Sequence, residues 1–204
     1  MPADLSKWDS RHRTAGERGP EPASIVLELL PLLPNGRALD IACGTGRHAL
    51  LLAKLGHCVT AVDASGVALE LVEEQARGDS IAVRNRRAAD LSQAQWHSGA
   101  GLRLVQADLE DAKLPEAAFD LILCIHYLQR SLFRQIERAL RPGGMLLFET
   151  FTRAQLELAG GPRNPEFLLE NHELHGAFPG LRTIFHRELR AEKGIASLLA
   201  QKPA

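Results

Sequence analysis

Three aspartates stand where apolar, β-rich stretches give out: Asp40 in "RALDIA", Asp63 in "HCVTAVD" and Asp108 in "LRLVQAD". Between the first two lies a glycine turn, Gly44-x-Gly46-x-x-Ala49, that opens a helix. A strand, a tight glycine turn and a helix N-terminus together make a cradle for a nucleotide-like cofactor. Asp63 follows Gly46 by 17 residues. That is close to the spacing of an acid that accepts both hydroxyls of a ribose, for which a carboxylate supplies two oxygens. Ribose recognition serves more than one cofactor, so Asp63 alone does not choose among them.

Asp40 does discriminate. A dinucleotide sets an anionic pyrophosphate against the turn and the helix N-terminus, and an acid just before the turn repels it. A ligand carrying an ammonium and a sulfonium, as S-adenosyl-L-methionine does, is attracted instead. Asp108 supplies an acceptor for the exocyclic amine of adenine. Two other readings stay open. The G-x-G-x-x-A pattern with Asp63 also fits an NAD(P)-dependent oxidoreductase. A non-catalytic module that binds S-adenosylmethionine would keep the same residues.

These residues need a frame. "GRALDIA", "HCVTAVD", "GLRLVQAD", "FDLILCIHY" and "MLLFETF" read as strands, alternating with helices in "RHALLLAKL", "SGVALELVEEQAR" and "SLFRQIERAL". "FDLILCIHY" is almost wholly apolar, as a strand buried on both faces should be. Ser65 is a helix N-cap in this reading and Gly56 closes the helix before it. "RPGG" reads as a turn ahead of the fifth strand, and "RTIFHREL" with "GIASLLAQ" as a terminal hairpin. The alternation predicts an α/β fold: a doubly wound, Rossmann-like sheet, mainly parallel with a C-terminal antiparallel hairpin, and helices on both faces. Residues 78–101 read as further helix plus a loop. We expect a single domain over 1–204, with an N-terminal arm at 1–21, a cofactor-binding core at 22–150 and a C-terminal segment at 151–204.

The ordered motifs "LDIACGTG", "VTAVD", "VQADLED", "FDLILC" and "LRPGGMLLFET" resemble those of class I S-adenosylmethionine-dependent methyltransferases, over roughly residues 38 to 150. Within that class the pattern is most similar to the small tellurite-resistance type methyltransferases, including the "WDSRHR" arm and the "GPRNPEFLLENHEL" segment. The resemblance implies that Asp40, Ala42, Cys43, Gly44 and Gly46 surround the methionine part of the cofactor. It places Asp63 and Ala64 on the ribose, Asp108 and Leu109 on the adenine, and Cys124 and Ile125 as a wall near the methyl group. It also makes Trp8 and Arg11 a lid, where the plainer role is an anchor for the arm. The class reads glycine where this chain has Ala42. Alanine does not readily take positive φ, so Ala42 is expected in extended backbone.

The reaction implied is methyl transfer to a small-molecule acceptor, with a thiol or a chalcogen oxyanion among the candidates. Soft acceptors of that kind need no strong base, whereas oxygen or nitrogen acceptors more often do. His126 and Tyr127, just beyond the fourth strand, are the candidate catalytic pair, His126 as proton acceptor and Tyr127 to orient a substrate or wall the pocket. Packed strand-end residues are the alternative. Arg47, opening the helix after the turn, reaches either the cofactor's carboxylate or solvent. Arg130 is a candidate receptor for an anionic substrate. Cys43 and Cys124 read as small packing residues, and no metal-ligand set is expected.

Bulk properties narrow the partners. The 204 residues carry 24 basic and 25 acidic side chains, a formal charge of -1, so no nucleic-acid-coating surface is indicated. Three cysteines without a C-x-x-C pair fit a reducing compartment. The apolar run "SIVLELLPLLP" is too short to span a bilayer. These features together predict a cytoplasmic protein.

Overall fold

A computed structural model describes residues 9, 10, 13, 21–84, 91 and 99–204. The chain's elements in order are α1 (Ser24–Leu29), β1 (Arg37–Ile41), α2 (Arg47–Lys54), β2 (Cys58–Asp63), α3 (Gly66–Gly78), β3 (Gly101–Gln106), β4 (Phe119–Ile125), α4 (Phe133–Ala139), β5 (Leu140–Phe151), α5 (Glu173–Gly176), β6 (Arg182–Arg190) and β7 (Gly194–Gln201). The strands form one seven-stranded sheet in the order β3-β2-β1-β4-β5-β7-β6. Pairs among β1 to β5 are parallel, and β7 runs antiparallel to both β5 and β6. The expected mainly parallel sheet with a terminal antiparallel hairpin is present. The hairpin does not extend the edge in sequence order, because β7 is inserted between β5 and β6.

Strand period decides which side chains meet which helices. Leu39, Ile41, Ile122, Cys124 and Phe148 belong to the hydrophobic cluster on one face. Ala38, Leu121, Leu123, Ile125 and Leu147 belong to the cluster on the other, together with Leu50, Leu52 and Ala53 of α2. Successive strand residues point to opposite faces. Asp40, Glu149 and Ser197 therefore share the α2 side with Ala38, Leu147 and Leu199. Across the carboxyl end of the sheet the register runs Ile125 to Glu149 to Ser197.

The chain leaves β1 for β2 and β3 on one side and returns with β4 on the other. That reversal between β1 and β4 is where open α/β sheets bind ligands, beyond the strands' carboxyl ends. Helix starts are fixed locally. The Ser65 Oγ accepts from the Ala68 N–H at 3.1 Å, the expected N-cap of α3. The "RPGG" stretch is part of β5, with a register shift between Phe119 and Leu121 rather than a separate turn. The 78–101 expectation falls mostly on residues outside those described. Val83 makes a parallel bridge to Leu102 there.

Candidate functional site

The loop from β1 to α2 turns through three left-handed residues: Ala42 at φ 53°, Gly44 at 55° and Gly46 at 80°. Ala42 thus departs from the extended conformation expected of alanine. The turn requires positive φ at that position, and a web of backbone bonds enforces it. The Cys43 N–H donates to Val62 O at 2.9 Å and the Gly46 N–H to Cys43 O at 3.0 Å. The Gly44 N–H donates to Asp63 Oδ2 at 2.8 Å. Gly46 has a second constraint, since a Cβ there would lie 2.6 Å from Val72 Cγ2 of α3.

Asp63 ends β2 with one carboxylate oxygen on Gly44 and the other accepting from the Ser65 N–H at 2.9 Å. Two backbone donors orient it, and each oxygen keeps a further lone pair. Asp9 accepts from Ser65 Oγ at 2.5 Å, which brings that residue close to the end of β2. Trp8 and Arg11, the expected lid residues, lie outside the described residues.

Asp40 is fully buried behind the turn. Its carboxylate accepts from the Ala49 N–H in the first turn of α2, and burial pushes its pKa up to about 7 against the partial relief of that bond and of Arg47. Helix α2 has no side-chain N-cap at Gly46, so Asp40 satisfies one of its orphan donors from below. Oδ2 of Asp40 has no hydrogen-bond partner. A buried carboxyl oxygen left open this way takes up a proton or a cationic ligand.

His126 follows β4 in the left-handed region, at φ 60°, with its N–H donating to Glu149 O at 2.6 Å. Its ring lies 5.1 Å from that of Phe151. Nδ1 is 3.1 Å from Arg47 Nη2, and Nε2 is 3.4 Å from Glu149 Oε1. Arginine only donates, so Nδ1 is the acceptor and the proton resides on Nε2. Burial pushes Glu149 up, but the nearby His126 ring, the Ser197 hydrogen bond and the Arg187 charge outweigh it and hold the carboxyl below its ordinary value. The sequence assigns Glu149 no role. Its significance depends on Ser197 of β7, 2.6 Å away and 48 residues on.

Asp108 and Leu109 follow β3, and the loop after β4 reaches the second of them. Asp108 Oδ1 accepts from the Glu110 N–H at 2.9 Å, and Leu109 is buried. Gln129, another residue missed in the sequence, donates to Leu109 O at 2.9 Å and accepts from Tyr127 Oη at 2.5 Å. Burial pushes the Tyr127 phenol well up, which keeps it a neutral donor. Cys43 and Cys124 are buried thiols whose pKa burial also raises, so neither is an available nucleophile. Ile125 ends β4 beside them, in contact with the α2-side cluster.

Arg130 does not present a free guanidinium to substrate. Its Nε and Nη2 grip Glu173 at 2.6 and 2.8 Å, and further bonds run to the carbonyls of Glu166 and Leu168. These bonds make it a brace between the β4–α4 loop and the C-terminal segment. Two cavities that Arg130 lines, of about 600 and 400 Å³, open on that brace and away from the glycine turn. His48, unremarked in the sequence, accepts from the Ala23 N–H at 3.2 Å. Burial and the neighbouring Arg47 and His126 lower it to about 3, so it stays neutral.

A glycine turn at the switch point of an open α/β sheet, with a ribose-type acid and a buried acid awaiting a cation, defines a nucleoside-cofactor-binding protein of Rossmann-like class. Residues 39–148 match the family described as "Methyltransferase domain". More than half of the chain is covered, and the chain belongs to that family. It is similar to the mitochondrial ubiquinone biosynthesis O-methyltransferase of Schizosaccharomyces pombe, 30% identical over 125 residues, 59% of this chain and 39% of that protein. It is also similar to 27-O-demethylrifamycin SV methyltransferase of Amycolatopsis mediterranei, 28% identical over 151 residues, 71% of this chain and 49% of the relative. The chain therefore spans half or less of the length of these curated relatives. Among solved structures its fold is similar to TehB from Haemophilus influenzae, with a TM-score of 0.69 at 18% identity, covering 89% of this chain and 62% of that one. S-adenosylmethionine is the cofactor that this family implies. The open Asp40 Oδ2 behind the turn fits its cationic end, and Asp63 fits its ribose. No helix among the described residues is long and apolar enough to cross a membrane.

Proposed function

We propose that the chain transfers a methyl group from S-adenosylmethionine to a small-molecule acceptor, acting in the cytoplasm as a single domain over 1–204. The arm at 1–21 and the segment at 151–204 flank a cofactor-binding core at 22–150. The observation that carries this reading is Asp40: a buried carboxylate directly behind a glycine turn, with one oxygen unpartnered. A pyrophosphate at that turn would meet like charge in a low-dielectric site, whereas an ammonium or sulfonium would discharge it. The oxidoreductase alternative is further weakened by topology. Dinucleotide folds build a second half from further parallel strands, but here antiparallel β7 occupies that place.

Bound at the turn, the cofactor would supply an electrophilic methyl carbon, the difficult part of the chemistry. The chain's own residues hold and orient: Asp40, Ala42, Cys43, Gly44 and Gly46 around the methionine end, with Asp63 and Ala64 on the ribose. Asp108 and Leu109 serve the adenine, while Cys124 and Ile125 wall the methyl side. His126 is the proton acceptor for an oxygen or nitrogen acceptor, and Tyr127 walls the pocket. The curated relatives named above are methyltransferases, the first an O-methyltransferase. The sequence resemblance to the tellurite-resistance type keeps thiols and chalcogen oxyanions in the acceptor set. Incubation with methyl-labelled S-adenosylmethionine and separate pools of thiols, chalcogen oxyanions, phenols, amines and carboxylates tests the proposal. Label is expected in one pool; tight cofactor binding with no transfer to any pool would favour a binding module instead.

A further inference from the structure

The two side chains best placed to serve cofactor and acceptor are engaged with each other. Arg47 Nη2 donates to His126 Nδ1 at 3.1 Å, and its Nη1 donates to the backbone oxygen of Glu21 at 3.2 Å. Both acceptors are neutral, although the guanidinium is half-buried and feels Asp40 and Glu149 at longer range. Neither partner carries a charge, so a carboxylate, which adds a full opposite charge and a bidentate geometry, outcompetes them for the guanidinium. Arg47 is thus a cation with uncharged hydrogen-bond partners at the first position of α2, directly beside Gly46 of the glycine turn.

A carboxylate stands on the other side of the His126 ring. Nε2 faces Glu149 Oε1 at 3.4 Å, and Glu149 Oε2 accepts from Ser197 Oγ at 2.6 Å. Donation from Arg47 to Nδ1 leaves the proton on Nε2, which faces the buried Glu149 carboxylate without a hydrogen bond to it. In this structure the Nδ1 lone pair is covered by the guanidinium. A nitrogen already accepting from arginine receives no proton from an acceptor molecule.

We propose that Arg47 is a clamp on His126 that the carboxylate of the cofactor's amino-acid end releases, so that the base is uncovered only when cofactor is bound. The inference rests on the S-adenosylmethionine reading above. The charged and titratable groups facing the pair are Arg47 and His48 from α2, Asp40 from β1 and Glu149 from β5, with Arg187 of β6 acting on Glu149. His48 stays neutral and donates no competing charge. Asp40 lies on the sheet side of α2 and draws a cation, so the ligand's two ends are sorted: its ammonium toward Asp40, its carboxylate toward Arg47. Release by cofactor makes proton acceptance conditional on the methyl donor being in place.

The test reads the His126 ring nitrogens by long-range ¹⁵N–¹H NMR on the whole chain, with occupancy followed by calorimetry. With S-adenosylhomocysteine bound, the Nδ1 resonance is expected to move downfield toward an imidazole nitrogen accepting no hydrogen bond, while Nε2 keeps its proton. With 5′-methylthioadenosine, which keeps the nucleoside and lacks the amino-acid end, the resonance should stay where it is in the free protein. In Arg47→Gln the resonance should already sit at the released position with or without ligand, and S-adenosylhomocysteine should bind at least tenfold more weakly. A saturated wild-type protein whose Nδ1 signal does not move overturns the clamp and leaves the cofactor reading intact. The same holds if methylthioadenosine moves the signal equally. Failure of S-adenosylhomocysteine to bind at all overturns the cofactor reading, and the clamp with it. The wild-type arms stand even if the Arg47→Gln chain does not fold.

Discussion

Replacing Ala42 with glycine and, separately, with valine tests whether the cofactor turn imposes left-handed backbone on an unsuitable residue. At φ 53° an L-residue incurs a steric cost of roughly 1–2 kcal/mol. Glycine removes it, but gives back about 0.4–1 kcal/mol through the greater entropy of the unfolded chain. It also forgoes part of a methyl burial worth about 0.8 kcal/mol. Ala42→Gly should therefore lie between neutral and about 1 kcal/mol more stable. Valine adds β-branched strain in the same well, of order 1 kcal/mol or more. The gap between the two variants is then about 2 kcal/mol, or roughly 4–8 °C in melting temperature for a chain of this size. Thermal unfolding followed by far-UV circular dichroism, each variant at the same pH and protein concentration, measures it. Were Ala42 extended, the order would reverse, because glycine is costly and valine favoured in extended backbone. A valine variant as stable as the glycine variant refutes the turn geometry.

Asp40 carries the pH dependence. Its folded pKa of about 7 exceeds the unfolded value near 3.8, so the fold prefers the protonated form. Its stabilising effect is complete below about pH 4 and is lost as pH rises toward 7. Denaturant titrations should show Asp40→Asn flattening that window, while weakening S-adenosylhomocysteine binding at least tenfold at pH 8. His126→Ala should lower turnover with the identified acceptor far more than it lowers cofactor affinity; equal loss in both would return His126 to a packing role. Arg130→Ala should leave cofactor affinity unchanged and cost about 1 kcal/mol, with faster limited proteolysis of the segment after residue 152. A selective rise in the Michaelis constant for an anionic acceptor would instead restore Arg130 as its receptor.

What the sequence made legible follows how local each signal is. Asp63 and Ser65 could be placed because a strand end and an N-cap are set by a few neighbouring residues. Both hold in the structure, with Asp63 oriented by the N–H groups of Gly44 and Ser65. The parallel core and the hairpin were readable from alternating patterns, but the insertion of β7 between β5 and β6 was not, since register across the sheet leaves no local mark. Glu149 went unassigned for that reason: its partner Ser197 arrives only through that insertion. The bracing of Arg130 was not legible because Glu173, which pairs with it, lies 43 residues away. Ala42 shows the opposite failure. Alanine intrinsically prefers negative φ, but the three hydrogen bonds that fix the turn overrule it.

The central claim is that the turn between β1 and α2, with Asp40 behind it and Asp63 beside it, holds S-adenosylmethionine. Calorimetric titration of the whole chain with S-adenosylhomocysteine and, in parallel, with NADH tests that claim most directly. Binding of S-adenosylhomocysteine alone is expected, weakened at least tenfold in Asp63→Ala by loss of paired hydrogen bonds worth roughly 1.5 kcal/mol or more. Binding of NADH without S-adenosylhomocysteine would contradict it.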